Sequence, residues 1–353
     1  MDFTLDPPLR DATELAALVV ERSADARLWD ALVDAGLVEL ALPGAVGGDD
    51  LGPAGAAAVL TELGRRAAAT PFYATLALGA LPLARSGAGS PLLRRVVEDG
   101  VVLTAALHEP SAPFPTEPRT LATAAPDGFT VTGVKLAVPD AGAAERVLVP
   151  VTLAAGGPAV LLVDPRGPGV EVGRVPGAGP NAPFRLRLDG APVPGDAVVG
   201  GAAAVADLYR LAVAGAVSYG DGLLAGALAL TVTHVAARRQ FGRPLATFQA
   251  VAQQLADVYL AARTLHLLAQ STVWRLQNDL EPGTDAEVAA YWVATELPAA
   301  LGTCHHLHGG LGLDRDYPLH RFSAAASDLA RLVGGPETTL DRLGTQYLEG
   351  KCS

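Results

Sequence analysis

Arg238-Arg239-Gln240-Phe241-Gly242-Arg243-Pro244-Leu245, followed by Phe248-Gln249 and by Gln253-Gln254-Leu255-Ala256-Asp257, is the stretch that decides how this chain folds. A long apolar helix runs up to it, a cationic cluster closes that helix, Gly242 and Pro244 turn the chain, and a second helix begins. Arg238 offers phosphate a planar, bidentate donor that a lysine cannot copy. Phe241 can cover a planar ring system, and Gln249 can hydrogen-bond a nucleotide edge. A plain helix end asks for less, because a solvated basic last turn complements the helix dipole without any ligand. Taken alone, these residues leave both readings open.

Outward from this stretch, the helical period starts near residue 202 and persists almost to the end. Pro282-Gly283-Thr284-Asp285 and residues 309–318 break it into separate helices. Residues 201–232 are the most apolar part, but Asp207, Arg210, Asp221 and several glycines interrupt them. They predict a helix buried between other helices, with no insertion into a bilayer. Upstream the texture differs. Short strand-like runs at 101–107, 129–131, 146–150, 159–163, 170–172 and 185–188, separated by Pro, Gly and Asp, predict a barrel or sandwich. Residues 1–100 read as helical, with a start at Asp11 supported by Glu14. A second apolar face through Leu28, Leu32, Val33, Leu37 and Leu40 is interrupted at Gly36. Further helices are predicted over 51–69, 71–84 and 91–98. The order helix, strand, helix is thus visible from composition and periodicity.

The chain has 353 residues, half of them hydrophobic, which predicts two or three domains with sizeable cores. Its formal charge of −11 argues against a nucleic-acid surface. Cys304 and Cys352 form neither a disulfide framework nor a metal-ligand pair, and no basic region precedes an apolar one at the N-terminus. A cytoplasmic setting is the expectation.

A second informative segment is His306-Leu307-His308-Gly309-Gly310-Leu311-Gly312-Leu313, with Tyr317-Pro318-Leu319-His320-Arg321 after it. Glycines between two helices let a backbone approach a ligand closely and donate amides to it. His305, His306 and His308 invite a metal, but they lack the i, i+4 spacing of a helical ligand pair, and no carboxylate or thiolate cluster completes the set. No metal is predicted. Packed or hydrogen-bonded rings beside the loop are the plainer expectation.

Together the two segments resemble the cofactor-contacting signatures of the acyl-CoA dehydrogenase family. There, an Arg-x-Gln-Phe-Gly motif with a downstream Phe-Gln contacts FAD across a subunit interface. A Gln-x-x-Gly-Gly-x-Gly loop lies along the adenosine and diphosphate. This chain carries Arg238, Gln240, Phe241, Gly242, Phe248 and Gln249 of the first motif, and Gly309, Gly310 and Gly312 of the second. His306 stands where the family usually has glutamine. Residues 28–48 resemble the family's Leu-Pro…Gly-Gly region and 61–65 its next helix. Glu109-Pro110 resembles its Thr-Glu-Pro element, and Gly133-x-Lys135 its middle-domain strand region. The resemblance runs in order over nearly the whole chain. It implies an α+β fold with an N-terminal helical domain (1–100), a middle β-barrel domain (101–200) and a C-terminal four-helix-bundle domain (201–353). It also implies FAD as cofactor, contacted by Arg238, Gln240, Phe241, Phe248, Gln249, His306, Gly309 and Gly310.

The family's reaction removes a proton α to a thioester carbonyl while hydride leaves the β carbon for the flavin, and it needs a carboxylate base. The two positions where the family carries that base fall on Gly334 and Ala212. Glu337 is the tempting substitute, although its plainer reading is a first-turn glutamate favoured by the helix dipole. His108 replaces the threonine of Thr-Glu-Pro, Ala137 and Pro139 replace a Trp-x-Thr pair, and Ser111-Ala112-Pro113-Phe114 replaces Gly-Ser-Asp. The dinucleotide side is kept; the isoalloxazine and proton-abstraction side is eroded.

This split resembles the base-lacking subunit of actinobacterial heterotetramers, which act on bulky acyl-CoAs, including shortened sterol side chains. In such assemblies a homologous partner holds the base, and an electron-transfer flavoprotein is the implied acceptor. The alternative is a homo-oligomer that oxidises an acyl-CoA or a carrier-bound acyl group with a non-standard base, Glu337 or Asp221. A third reading, a non-catalytic structural or regulatory module, sits poorly with the retained Arg238 and Gln249.

Overall fold

The computed structural model describes residues 6–154, 156–178, 182–281 and 283–348. The first residues of the chain, Pro282 and Cys352, all used in reading the sequence, lie outside these ranges. The N-terminal part contains α1 (Pro7–Arg22), α2 (Leu28–Asp34) and α3 (Gly52–Arg65). A π-helical run over Tyr73–Ala80 then continues into α4 (Leu81–Ser86), and α5 (Ser90–Asp99) follows. Helix α1 begins at Pro7, not near Asp11. Asp6 accepts the Leu9 amide at 3.2 Å and so caps the helix, and the two prolines of its first turn have no N–H to leave unsatisfied. The chain leaves α2 where expected, with Gly36 at φ 72°.

Ten strands follow: β1 (Leu103–Ala105), β2 (His108–Glu109), β3 (Ala112–Pro113), β4 (Leu121–Ala125) and β5 (Gly128–Val138), then β6 (Arg146–Leu153), β7 (Pro158–Val163), β8 (Val170–Arg174), β9 (Phe184–Pro194) and β10 (Val198–Gly200). They form one sheet with the path β10-β7-β6-β4-β5-β2-β3, to which β1 adds on β6 and the β8–β9 pair adds on β5. The sheet is open, which corrects the closed barrel implied by the resemblance. Strand β5 shows why. Its first half pairs with β4, nearly all of it pairs with β9, and β2 meets it at Leu136. Register shifts between Val131 and Gly133 and between Lys135 and Val138 bend the strand, so the sheet curls without its ends pairing. Val131, Val147, Val149, Leu161, Leu186 and Leu188 share one core inside the curl.

The remainder is α6 (Ala202–Ala237), a short hairpin of β11 (Arg239–Gln240) and β12 (Arg243–Pro244), α7 (Gln249–Gln277), α8 (Gly283–His308), α9 (Leu319–Leu332) and α10 (Gly335–Leu348). Helix α6 has the length and hydropathy of a bilayer span, yet it is mostly buried inside the protein. The chain divides into two compact units. One is Met1–Glu21, Ala57–Ala68 and Ala216–Ser353; the other is Arg22–Ala56 and Ala69–Gly215. In the first, α7 packs on α8, and α8 packs on α9 and α10. There too α3 and α6 approach closely enough that a Cβ on Gly222 would fall 2.0 Å from the Thr61 carbonyl oxygen. The second unit holds the sheet.

Candidate functional site

The last turn of α6 delivers Arg238, whose amide still donates to the His234 carbonyl at 2.8 Å and whose carbonyl accepts the Leu245 amide at 2.8 Å. Between these bonds the chain makes the β11–β12 hairpin, with Arg239 opposite Pro244 and Gln240 opposite Arg243. The two-residue turn is Phe241-Gly242, with φ of 51° and 79°. A type I′ hairpin turn needs that left-handed geometry at both positions, and only the second is a glycine. Phe241 therefore sits in a conformation that an aromatic side chain avoids, and it is 91 % exposed. Its ring meets Phe248 edge-on at 6.2 Å, and the Arg243 guanidinium lies 4.1 Å over Phe248. Arg238, Arg239, Gln240, Arg243 and Gln249 are all exposed. Within the same hairpin, Arg239 donates to the Gly242 carbonyl at 2.9 Å. The group suits an anion bearing a planar ring.

At the end of α8, Gly309 adopts φ 58° and Gly310 follows it, both exposed. A Cβ at Gly310 would meet no atom within 4 Å, and its φ is not left-handed. The chain's own packing therefore does not demand a glycine there, whereas close approach of an external group to the backbone would. His306 is exposed beside this loop. His308 is buried; its Nδ1 donates to the Cys304 carbonyl at 2.8 Å, and its Nε2 meets the Tyr317 hydroxyl at 3.0 Å. His305 Nε2 lies 2.6 Å from the Ser323 hydroxyl. Two of the three neighbouring histidines are thus held by hydrogen bonds. Among the described residues no group of three His, Cys, Asp or Glu side chains is placed to hold a metal.

The other unit carries a different chemistry. Glu109 accepts Lys135 Nζ at 2.7 Å, the Thr120 amide at 2.9 Å, the Thr120 hydroxyl at 2.5 Å and the Arg119 amide at 2.6 Å. Both charged side chains are almost fully buried, Lys135 at 0 % and Glu109 at 1 % exposure. Burial pushes the Lys135 ammonium down to about 8, opposed by the carboxylate beside it. Burial pushes Glu109 the other way, but Lys135 and the Thr120 and Arg119 donors together hold it below its ordinary value. The preceding residue, His108, packs on Phe114 at 5.2 Å, and Phe114 packs edge-on against Tyr209 at 5.1 Å. The Tyr209 hydroxyl donates to the Pro115 carbonyl at 2.9 Å. Two rings of this aromatic cluster, His108 and Phe114, lie in segments where the sequence departs from what the resemblance implies for the flavin face. Tyr209 had no signal in the sequence, since nothing near it in the chain marks it as part of this cluster.

The two positions that the resemblance assigns to the base, Ala212 and Gly334, carry no carboxylate. Ala212 is fully buried and its carbonyl accepts the Tyr73 hydroxyl at 2.9 Å. Gly334 takes φ 101° at the end of α9, with its amide donating to the Arg331 carbonyl at 3.0 Å. Glu337 is exposed in the first turn of α10. Asp221 is buried on α6 and bonded to His266 Nδ1 at 2.9 Å.

Known proteins match this chain throughout. The family description "Acyl-CoA dehydrogenase, C-terminal domain" matches residues 206–346. Acyl-CoA dehydrogenase FadE28 of Mycobacterium tuberculosis is 42% identical over 349 residues, which covers 98% of this chain and 99% of that protein. A chain of the ChsE4-ChsE5 complex from Mycobacterium tuberculosis superimposes with a TM-score of 0.90 at 31% identity, covering 99% of each chain. A variant of the Tcur3481-Tcur3483 steroid ACAD does so with a TM-score of 0.90 at 32% identity, covering 98% of this chain and 99% of its own. With the fold, the paired motifs and full-length relatives in agreement, this chain belongs to the acyl-CoA dehydrogenase family.

Proposed function

We propose that this chain is one subunit of a heteromeric FAD-dependent acyl-CoA dehydrogenase, supplying dinucleotide contacts while a homologous partner supplies the carboxylate base. The observation that carries the reading is Phe241. It is 91 % exposed and held at φ 51° on the tip of a hairpin that follows Arg238 and carries Arg239 and Arg243, which supports a contact with a group outside the chain. Gly310, with open space where its Cβ would be, supports the same conclusion. The residues fit FAD. Arg238 is suited to the diphosphate, Gln240 and Gln249 to polar edges, and Phe241 with Phe248 to a ring face. Gly309, Gly310 and His306 are suited to the adenosine side. When bound, FAD supplies the hydride acceptor for α,β-dehydrogenation of an acyl thioester.

The base is argued to come from the partner because Ala212 and Gly334 carry none. Asp221 is engaged by His266, and Glu337 stands in solvent at a helix start. Two structural relatives are named as pairs of chains, and one of these as a steroid ACAD. The substrate class that follows for this chain is a bulky, lipid-derived acyl-CoA. A cytoplasmic tetramer that passes electrons to an electron-transfer flavoprotein completes the reading.

The test is an anaerobic titration with acyl-CoAs, watching flavin absorbance, on the chain alone and after co-expression with a base-bearing homologue. Bleaching is expected with the partner and not without it. A homotetramer of this chain alone with full flavin occupancy and turnover overturns the proposal.

A further inference from the structure

The last turns of α6 and α8 meet through two histidines. The rings of His234 and His308 are stacked, with centroids 4.5 Å apart and planes 21° apart. Each ring lies next to one of the segments discussed above. His234 is one helical turn before Arg238 and accepts its amide at 2.8 Å. His308 immediately precedes Gly309. The loop is folded tightly onto the same helix, since a Cβ on Gly312 would come within 3.2 Å of both His305 Nδ1 and the His308 Cβ. Each of the two stacked residues thus belongs to the last turn of helix that leads into one of these segments. On the reading that these segments contact FAD, we propose that the stacked imidazoles of His234 and His308 are positioning residues, a latch that aligns the arginine-bearing hairpin with the glycine loop so that both grip one dinucleotide.

Hydrogen bonds hold the His308 ring in place, and its surroundings disfavour the charged form. His308 Nδ1 donates to the Cys304 carbonyl, and Nε2 lies 3.0 Å from the Tyr317 hydroxyl, which donates to it when the ring is neutral and accepts from it when the ring is protonated. Protonation at Nε2 would reverse the hydrogen bond with Tyr317 and set a cation against the face of His234. The groups facing the pair oppose that charge. His308 is pushed below its ordinary value by burial and by His234 and His305, with only the Cys304 carbonyl pulling upward. His234 is pushed down by burial and by Arg238. The latch is closed when both rings are neutral and loosens on acidification.

The test uses the full chain co-expressed with its base-bearing homologue, with the FAD dissociation constant read by flavin fluorescence at pH 7.5 and 5.5. His234→Ala removes the stack, His234→Phe keeps an aromatic face that does not titrate, and Arg238→Ala reports on the FAD reading itself. Loss of one aromatic pair should weaken FAD binding by on the order of tenfold in His234→Ala at pH 7.5. His234→Phe should restore most of that loss and flatten the acid-side weakening seen in the unaltered protein. If His234→Ala holds FAD as tightly as wild type at both pH values while Arg238→Ala loses it, the latch is wrong and the FAD reading stands. If Arg238→Ala also keeps its FAD, the FAD reading falls and takes the latch with it. A second measurement needs no substitution and no flavin: histidine-selective NMR titration of the unaltered chain. A resonance shifted by the stacked ring, titrating below the usual imidazole range, is expected for His308. Ordinary titration with no ring-current shift overturns the latch.

Discussion

At the scale of single residues, Phe241 separates folding from function. A non-glycine residue in the left-handed region costs about 1–2 kcal/mol, and glycine there returns a similar entropy cost of about 0.5–1 kcal/mol through the unfolded chain. Since the ring is 91 % exposed, Phe241→Gly should leave stability within about 1 kcal/mol of wild type, or raise it slightly. The same change should weaken FAD retention about threefold to tenfold, through the lost aromatic contact. Denaturant unfolding and flavin fluorescence check the two halves separately; a large loss of stability would show that the ring is structural. The types of Arg238, Phe241, Gln249 and Gly310 were legible in the sequence because the motif is local. The strain at Phe241 and the empty space beside Gly310 were not, since both are properties of three-dimensional surroundings. His234 went unnoticed for the same reason: its partner, His308, lies in a distant segment, and neither residue marks the other.

At the scale of elements, the buried Glu109–Lys135 pair joins β2 to β5 and holds the Arg119–Thr120 backbone to them. Removing one member leaves an uncompensated charge in the core, so Glu109→Gln should cost about 3–5 kcal/mol. Replacing both with apolar residues of similar volume should recover much of that loss, and chemical denaturation of the single and double variants checks it. The helix pair α6 and α8 gives a second expectation. Because the folded pKa values of His234 and His308 are depressed, their contribution to stability is present above the unfolded value of about 6.5 and declines as the pH falls below it. The thermal midpoint should therefore drop between pH 7 and 5.5, and His308→Phe should flatten that drop.

Legibility at this scale followed periodicity. The run at 159–163 lies inside β7 (Pro158–Val163), and that at 129–131 lies inside β5, which continues to Val138. Periodicity alone stops short there, and the continuation through Lys135 was indicated only by the resemblance of Gly133-x-Lys135 to a strand region. The π-helical run Tyr73–Ala80 was read as part of an ordinary helix, since its altered hydrogen bonding leaves no mark on a segment buried almost all round.

At the scale of the whole molecule, the two halves of the chain's chemistry point in different directions. The unit that carries the Arg238 hairpin and the glycine loop presents exposed groups that call for a ligand, and the sheet-bearing unit presents a filled one. His108, Phe114 and Tyr209 are packed ring against ring, and His108 and Phe114 lie in segments that the resemblance assigns to the flavin face. On the proposed heteromeric reading, a flavin held by this chain's hairpin would face a partner's sheet-bearing unit, since His108 and Phe114 fill the corresponding region of this chain with their own rings. The expected stoichiometry is one FAD for each pair of unlike subunits, measured as flavin absorbance against protein concentration in the purified complex. Two flavins per pair would show that the aromatic cluster yields to the cofactor. Substituting the cluster alone, as His108→Thr with Phe114→Ser, tests the cause directly. If the rings exclude the flavin, those changes should raise occupancy above one per pair; with no base at Ala212 or Gly334, the added flavin should remain oxidised when acyl-CoA is supplied.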